Sequence, residues 1–353
     1  MQDRTPTNSA SPKGNPPAPS RRELLAASLA LGAAGVALSL GACGTTKPRG
    51  GRDDVRVRPP LRIALMQSSL THTLASTAQG DATRFATLAR TMHQARAVGY
   101  SSSMWSDQAR DARLLKTLAQ RARDEGVLPL LLQVDDEGLL GDADASARTR
   151  TVVAHHKWAD AAKALGCEGL VVRPGAAGPL ASQADQLADG LASLSTYTAS
   201  LGLRLLVRNG GTGAVLSANP AWMAGVLRRF DAQRIAGLAD FDALADASRE
   251  LGTNPSDAMR TQMPFAAAIA LRGVDNGTLP ELPGRANPSR ASFLRAALED
   301  AIMGRGEAAY APFRGYVLID AQEQSAAAED RVISATREFV NAIVRRYHDG
   351  SLR

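Results

Sequence analysis

From Pro60 onward, short apolar runs alternate with amphipathic helical stretches, and the alternation repeats eight times. The candidate strands are Leu61–Gln67, Tyr100–Trp105, Val127–Val134, Cys167–Arg173, Leu203–Arg208, Ile235–Asp240, Ala266–Arg272 and Tyr316–Asp320. Helical stretches separate them at Ala82–Ala97, Asp111–Glu125, Ala147–Leu165, Gln183–Leu201, Pro220–Arg229, within Asp242–Leu251, Ser292–Met303 and Ala327–Arg346. Strands joined through helices pair in parallel, because a parallel connection has to cross from one end of the sheet to the other. Eight such units over residues 60–348 predict an α/β chain folded as a (β/α)8 TIM barrel, with a doubly wound sheet as the rival. In either fold ligand chemistry belongs at the C-terminal strand ends.

The clearest unit is Asp135–Gly175. It lies between the apolar runs Val127–Val134 and Cys167–Val172, so its helix connects two buried strands. Val153, His156, Trp158, Ala161, Ala162 and Leu165 recur at spacings of three and four and predict the buried face, with Gly166 as a left-handed cap.

The same stretch reads HHKWADAAKALGC, preceded by DDEGLLGDAD. This wording resembles the sugar phosphate isomerase/epimerase family, the xylose isomerase-like TIM barrels, and the resemblance favours the barrel. It implies a divalent metal at the barrel mouth, held by Glu, Asp, a third ligand that is often His, and a second Glu, in enzymes that interconvert aldoses and ketoses or epimerise sugars. The chemistry is coherent: a hard cation takes oxygen and imidazole ligands and polarises sugar oxygens while carboxylates move the proton.

Carried onto this chain, the resemblance implies a partly dismantled site. The family's Glu-Asn-His-Gly-Gly-like sequence after strand five is here Arg208-Asn209-Gly210-Gly211 after Val207, so arginine stands for the first glutamate ligand. Asp240, in Gly237-Leu238-Ala239-Asp240-Phe241, keeps the aspartate of strand six, and Asp320 replaces the second glutamate after strand eight. On strand seven a polar position has become Ala270 and a lysine has become Arg272, and on strand two a glutamate has become Met104. At about 4 Å and an effective dielectric near 20, a dication gains roughly 8 kcal/mol beside a carboxylate and loses about as much beside a guanidinium. Half of that ~16 kcal/mol swing is about six decades of affinity, so the family's metal should not bind, and no other cofactor is expected.

The candidate catalytic residues are Asp240, Asp320 and Glu137, with Asp135 and Asp136 beside it at the strand-three mouth. Arg173, Arg208, Asn209, Arg272 and His155 are the candidate ligand-binding residues; His155 matches the helix histidine of the family, and a purely structural role is its alternative. Two readings of the arginines stay open: a structural ion-pair network with Asp240 and Asp320, or bidentate binding of an anionic saccharide. Gly210-Gly211-Thr212-Gly213 is either a tight turn or a phosphate cradle.

Residues 1–43 read as a leader. Twin arginines, Arg21-Arg22, precede the apolar run Ala26–Leu40 and resemble a Tat export signal, while Leu40-Gly41-Ala42-Cys43 resembles a lipobox that would make Cys43 the lipidated residue. The run is shorter than the ~20 residues of a membrane span. Gly44, in place of an aspartate, favours the outer membrane in the lipoprotein-sorting pattern, and residues 44–59, rich in Gly, Pro and Arg, form a tether. With Cys43 acylated, Cys167 has no partner for a disulfide within the chain. The pI of about 9.7 invites a nucleic-acid reading, but the basic residues are dispersed among acidic ones and no nucleic-acid partner is expected. The sequence thus predicts a lipid-anchored envelope protein with a degraded metal site that binds an anionic carbohydrate. An altered active isomerase and a structural envelope protein are the alternatives.

Overall fold

The structure, a computed structural model, describes residues 59–105, 107–177, 179–210, 219–274, 290–306 and 310–352. The leader, Cys43, the tether up to residue 58, and Gly211-Thr212-Gly213 of the glycine-rich turn lie outside them. In chain order the elements are β1 (Leu61–Met66), α1 (Thr71–Thr77), α2 (Phe85–His93), β2 (Ala97–Ser101), α3 (Ala112–Asp124), β3 (Leu128–Val134), α4 (Ala145–Leu165), β4 (Gly169–Val172) and α5 (Leu180–Ser200). They continue with β5 (Arg204–Arg208), α6 (Pro220–Leu227), β6 (Ile235–Asp240), α7 (Phe241–Glu250), α8 (Pro255–Gln262), β7 (Ala266–Leu271), α9 (Arg290–Met303), β8 (Gly315–Ile319) and α10 (Ala326–His348). The eight strands pair in sequence order, all parallel, and β1 closes on β8, so the barrel is preferred over the open sheet.

Successive side chains of a strand face opposite sides, so each strand feeds two cores. Ala64, Met66, Leu131, Val171, Leu206, Leu238, Ala270 and Leu318 fill the barrel interior, while the alternate residues pack under the helices. At roughly 25 cal/mol per Å² of apolar surface removed from water, these two layers are the main favourable contribution to the fold.

Two expected boundaries shift. The predicted Ala82–Ala97 helix is cut back to α2, with α1 an additional helix ahead of it, and β2 begins at Ala97 rather than Tyr100, with Ser102–Met104 forming a 3-10 turn. The cause lies at Gln94, which takes the left-handed conformation (φ 53°) and caps α2 where a glycine would have announced the stop. The run THTLAST has little helix propensity and is helical through tertiary support. The buried Glu329 carboxylate accepts from the Thr71–Thr77 helix's His72 N (2.7 Å), Thr73 N (2.9 Å) and Thr73 Oγ1 (2.7 Å). On α4 the buried stripe is Val152, His155, Trp158, Ala162 and Leu165; Val153 is exposed and His156 stacks on Tyr197 at 3.7 Å, so the predicted face was one residue out of phase in its first half. Gly166 caps α4 at φ 81°, as expected.

Candidate functional site

The alternation that fills the interior also builds the mouth. Two residues beyond Leu206, Leu238, Leu318 and Leu131, on the same inward rows, stand Arg208, Asp240, Asp320 and Gln133. Arg208 is buried among them. Its Nε and Nη2 donate to Asp240 Oδ2 at 3.0 and 2.7 Å, and its Nη1 donates to Asp320 Oδ2 at 2.6 Å and to Gln133 Oε1 at 2.7 Å. Both carboxylates are engaged elsewhere as well. Asp240 Oδ1 accepts from Ala243 N at 3.0 Å at the start of α7, and Asp320 Oδ1 accepts from Ser68 Oγ at 2.5 Å. Asn209 clamps the Asp240 backbone, accepting from its N at 2.7 Å and donating to its carbonyl at 3.2 Å.

Gln133 extends the network by donating to Asp135 Oδ1 at 2.7 Å. Asp135 Oδ2 accepts from Ser101 Oγ at 3.0 Å and Ser103 N at 3.2 Å, and Arg173 Nε stands 3.6 Å from its Oδ1. Burial alone would raise the Asp135 pKa; the bonds from Gln133 and Ser103 and the charge of Arg173 outweigh it and hold the group below the usual range. Asp240 follows the same logic: desolvation opposes its charge, but the Arg208 guanidinium and the Ala243 N–H bring the pKa down. Arg208 in turn is held charged: burial disfavours it, and Asp240 and Asp320 more than restore it.

The remaining predicted residues have separate partners. Arg272 is partly exposed and turns toward α7, its Nη1 3.4 Å from Asp246, while its backbone N donates to Asp242 at 2.6 Å. Asp242 also pairs with Arg290, yet desolvation dominates and pushes its pKa up to about 6. A cavity of about 170 Å³ beside the mouth is lined by Arg272, Gly273, Arg290, Gln322, Glu323 and Val332, and among the described residues the buried Nε of Arg290 has no hydrogen-bond partner. Glu137 accepts from Trp158 Nε1 at 2.6 Å and pairs with Lys157 at 2.8 Å, both on α4, and makes no bond to the Arg208 network. His155 is buried on α4 with Nδ1 2.8 Å from the Thr151 carbonyl, which places the ring proton on that nitrogen. Its pKa is depressed, chiefly by burial.

The residues present do not fit a divalent metal. The two carboxylate oxygens that would face a cation both accept from Arg208, whose guanidinium stands between them. Among the described residues no group of three His, Cys, Asp or Glu converges. Sequence reading missed Gln133 and Ser68, whose signal was their place two residues beyond the interior residues Leu131 and Met66, and of the acidic residues expected at the strand-three mouth it is Asp135 that joins the network.

No protein-family model matches the sequence, and no curated protein matches it. Solved structures do. A D-tagatose 3-epimerase-like protein superposes with a TM-score of 0.57 at 15% identity, over 81% of this chain and 99% of its own. A xylose isomerase domain protein from Planctomyces limnophilus gives 0.55 at 14% identity, over 82% and 98%. IolI, solved with a bound zinc atom, gives 0.58 at 11% identity, over 81% and 99%. With the closed eight-strand barrel and this likeness together, the chain has the xylose isomerase-like (β/α)8 fold found in sugar isomerases and epimerases.

Proposed function

We propose that this protein is a metal-free derivative of the sugar isomerase/epimerase barrels, without isomerase activity, which binds an anionic saccharide beside the barrel mouth and is exported and tethered to the cell envelope through an acylated Cys43. The observation that carries the loss of metal chemistry is Arg208, which makes four hydrogen bonds to Asp240, Asp320 and Gln133 at the position where the resembled family keeps a glutamate ligand. A guanidinium in that place repels a dication and satisfies both aspartates, so neither is left as a general base.

Because its donors are consumed internally, Arg208 is a structural cation, and the ligand contacts pass to the rim. The cavity beside Arg272 and Arg290 supports this reading, since its cations include a buried N–H that no group among the described residues accepts. A uronate carboxylate has the geometry to receive such donors, and Gln322 offers the amide groups that sugar hydroxyls need.

Thermal unfolding with glucuronate, glucose and manganese tests the proposal. Glucuronate should stabilise the protein, and neutral glucose should do so much less. Arg272→Gln should abolish the difference, and chelator or manganese should change nothing. Aldose-to-ketose turnover restored by manganese would sink it.

A further inference from the structure

The inward rows of the barrel continue in the other direction too. Two residues before Ala64, Leu206 and Leu318 stand Arg62, Arg204 and Tyr316, which line the N-terminal end of the interior. The contrast with the mouth is one of pairing. Arg208 sits between two carboxylates, whereas Arg62 donates to the Tyr316 hydroxyl at 3.1 Å and lies over its ring at 4.0 Å, and Arg204 Nε donates to the Ala232 carbonyl at 2.8 Å. Arg314, just before β8, donates to the carbonyls of Ile302 and Phe313 and to the Tyr347 hydroxyl. Among the described residues none of the three has an ion-pair partner, and all three line one cavity of about 220 Å³. Glu168 is the one carboxylate at its rim, exposed and within 4 Å of no guanidinium among the described residues.

Arg62 and Tyr316 also form the end wall of a larger groove of about 650 Å³, over β1 between the end of α2 and α10. Its floor is apolar, with Leu61, Ile63, Leu65, Ile333 and Val344. Its polar rim is again mainly cationic: Arg96 has no ion pair among the described residues, and Glu338 is already bonded to Arg345 at 2.6 Å. His93 lines the groove with its ring buried and neither nitrogen hydrogen-bonded among the described residues; Nδ1 is 3.8 Å from Asp330.

We propose that the N-terminal end of the barrel binds an anionic phospholipid, with its phosphate on Arg62, Arg204 and Arg314 and an acyl chain in the groove over β1. Three guanidinium groups with no carboxylate within 4 Å among the described residues, of which only Arg204 feels a nearby acid, Asp231, call for a compact anion. The apolar groove sharing two residues with that cavity selects a lipid over a free phosphate, since a water-soluble ester would leave the groove empty. The site is independent of the proposed role of the mouth and of whether Cys43 is acylated.

The test uses the full chain with Cys43→Ala, titrated with short-chain phosphatidylglycerol below its micellar concentration and followed by calorimetry. Short-chain phosphatidylcholine and glycerol phosphate serve as the comparison arms. The phosphatidylglycerol should bind at least about tenfold tighter than either, the first margin reporting headgroup charge and the second the buried chain. Combined Arg62→Gln, Arg204→Gln and Arg314→Gln should weaken it by about a hundredfold. Asn341→Trp, which narrows the groove from its half-buried rim without touching the core, should weaken the lipid about tenfold and leave glycerol phosphate unchanged, and it decides the matter if the arginine variant fails to fold. Equal affinity for glycerol phosphate would make this a free-phosphate site, and equal affinity for phosphatidylcholine an unselective apolar groove. Either result, or an Asn341→Trp variant that binds the lipid like its parent, overturns the proposal.

Discussion

Replacing Arg208 by methionine removes the cation and keeps most of the side-chain volume. Each ion pair, with charge centres about 4 Å apart, contributes on the order of 4 kcal/mol at an effective dielectric near 20. The desolvation of three charges offsets much of that, so the intact triad adds little net stability. Breaking it is different. Asp240 and Asp320 are 3% and 1% exposed, and without the guanidinium they become two buried carboxylates facing one another. The expected loss is roughly 3–5 kcal/mol at pH 7. The pH dependence follows in sign. In the parent the Asp240 pKa is depressed, so its contribution is present above the unfolded value of about 3.9 and disappears as pH falls through the lower folded value. In Arg208→Met the guanidinium that lowers the Asp240 pKa is gone and burial is left to raise it above the unfolded value. The variant should therefore regain stability relative to the parent as pH is lowered from 7 toward 4, where Asp240 takes up its proton. Urea unfolding at several pH values measures this. Adding Asp240→Asn and Asp320→Asn should recover most of the loss at pH 7, because the uncompensated charges go with them. A variant within about 1 kcal/mol of the parent at pH 7, with no pH-dependent recovery, would refute the view that Arg208 neutralises the mouth.

Arg208→Glu should create a site with three carboxylates near Gln133, and manganese should then raise the thermal midpoint of the variant while leaving the parent unmoved; a variant indifferent to metal would argue that the strand ends no longer approach closely enough. Asp242, with its pKa pushed up to about 6, penalises folding as pH rises from its unfolded value near 3.9 through 6, so Asp242→Asn should flatten the loss of stability across that window in urea titrations. Glu329→Ala leaves the N–H groups at the start of α1 without their acceptor, and a loss on the order of 3 kcal/mol, with faster amide exchange at Thr73 than elsewhere, is expected. Asn209→Ala should lose about 1–3 kcal/mol, because the buried Asp240 backbone N–H loses its acceptor.

The barrel was legible because its periodicities are strong. Runs such as Leu205-Leu206-Val207 and Leu238-Ala239 can be read as buried strands, and Gly166 and Asn219-Pro220 mark helix ends by known backbone preferences. The misplaced start of β2 has a local cause: Ala97-Val98-Gly99 continues a helical composition, and the stop is made by a glutamine in a conformation glycine usually takes. The candidate site was legible by position but not by pairing. That Arg208, Asp240 and Asp320 share the strand ends followed from their sequence spacing. That Arg208 bonds to both aspartates while Arg272 turns outward to Asp246 depends on side-chain directions the alternation does not determine. Glu137 illustrates the limit: an acidic loop at a strand mouth suits acid–base chemistry, yet its carboxylate serves Trp158 and Lys157 of the following helix.

Whether Arg208 has displaced the metal is decided by elemental analysis of the purified protein combined with calorimetric titration of manganese and zinc. With Arg208 in place, metal should be substoichiometric as isolated, with no saturable binding at the mouth. Stoichiometric metal that resists dialysis and is lost on mutating Asp240 or Asp320 would contradict it.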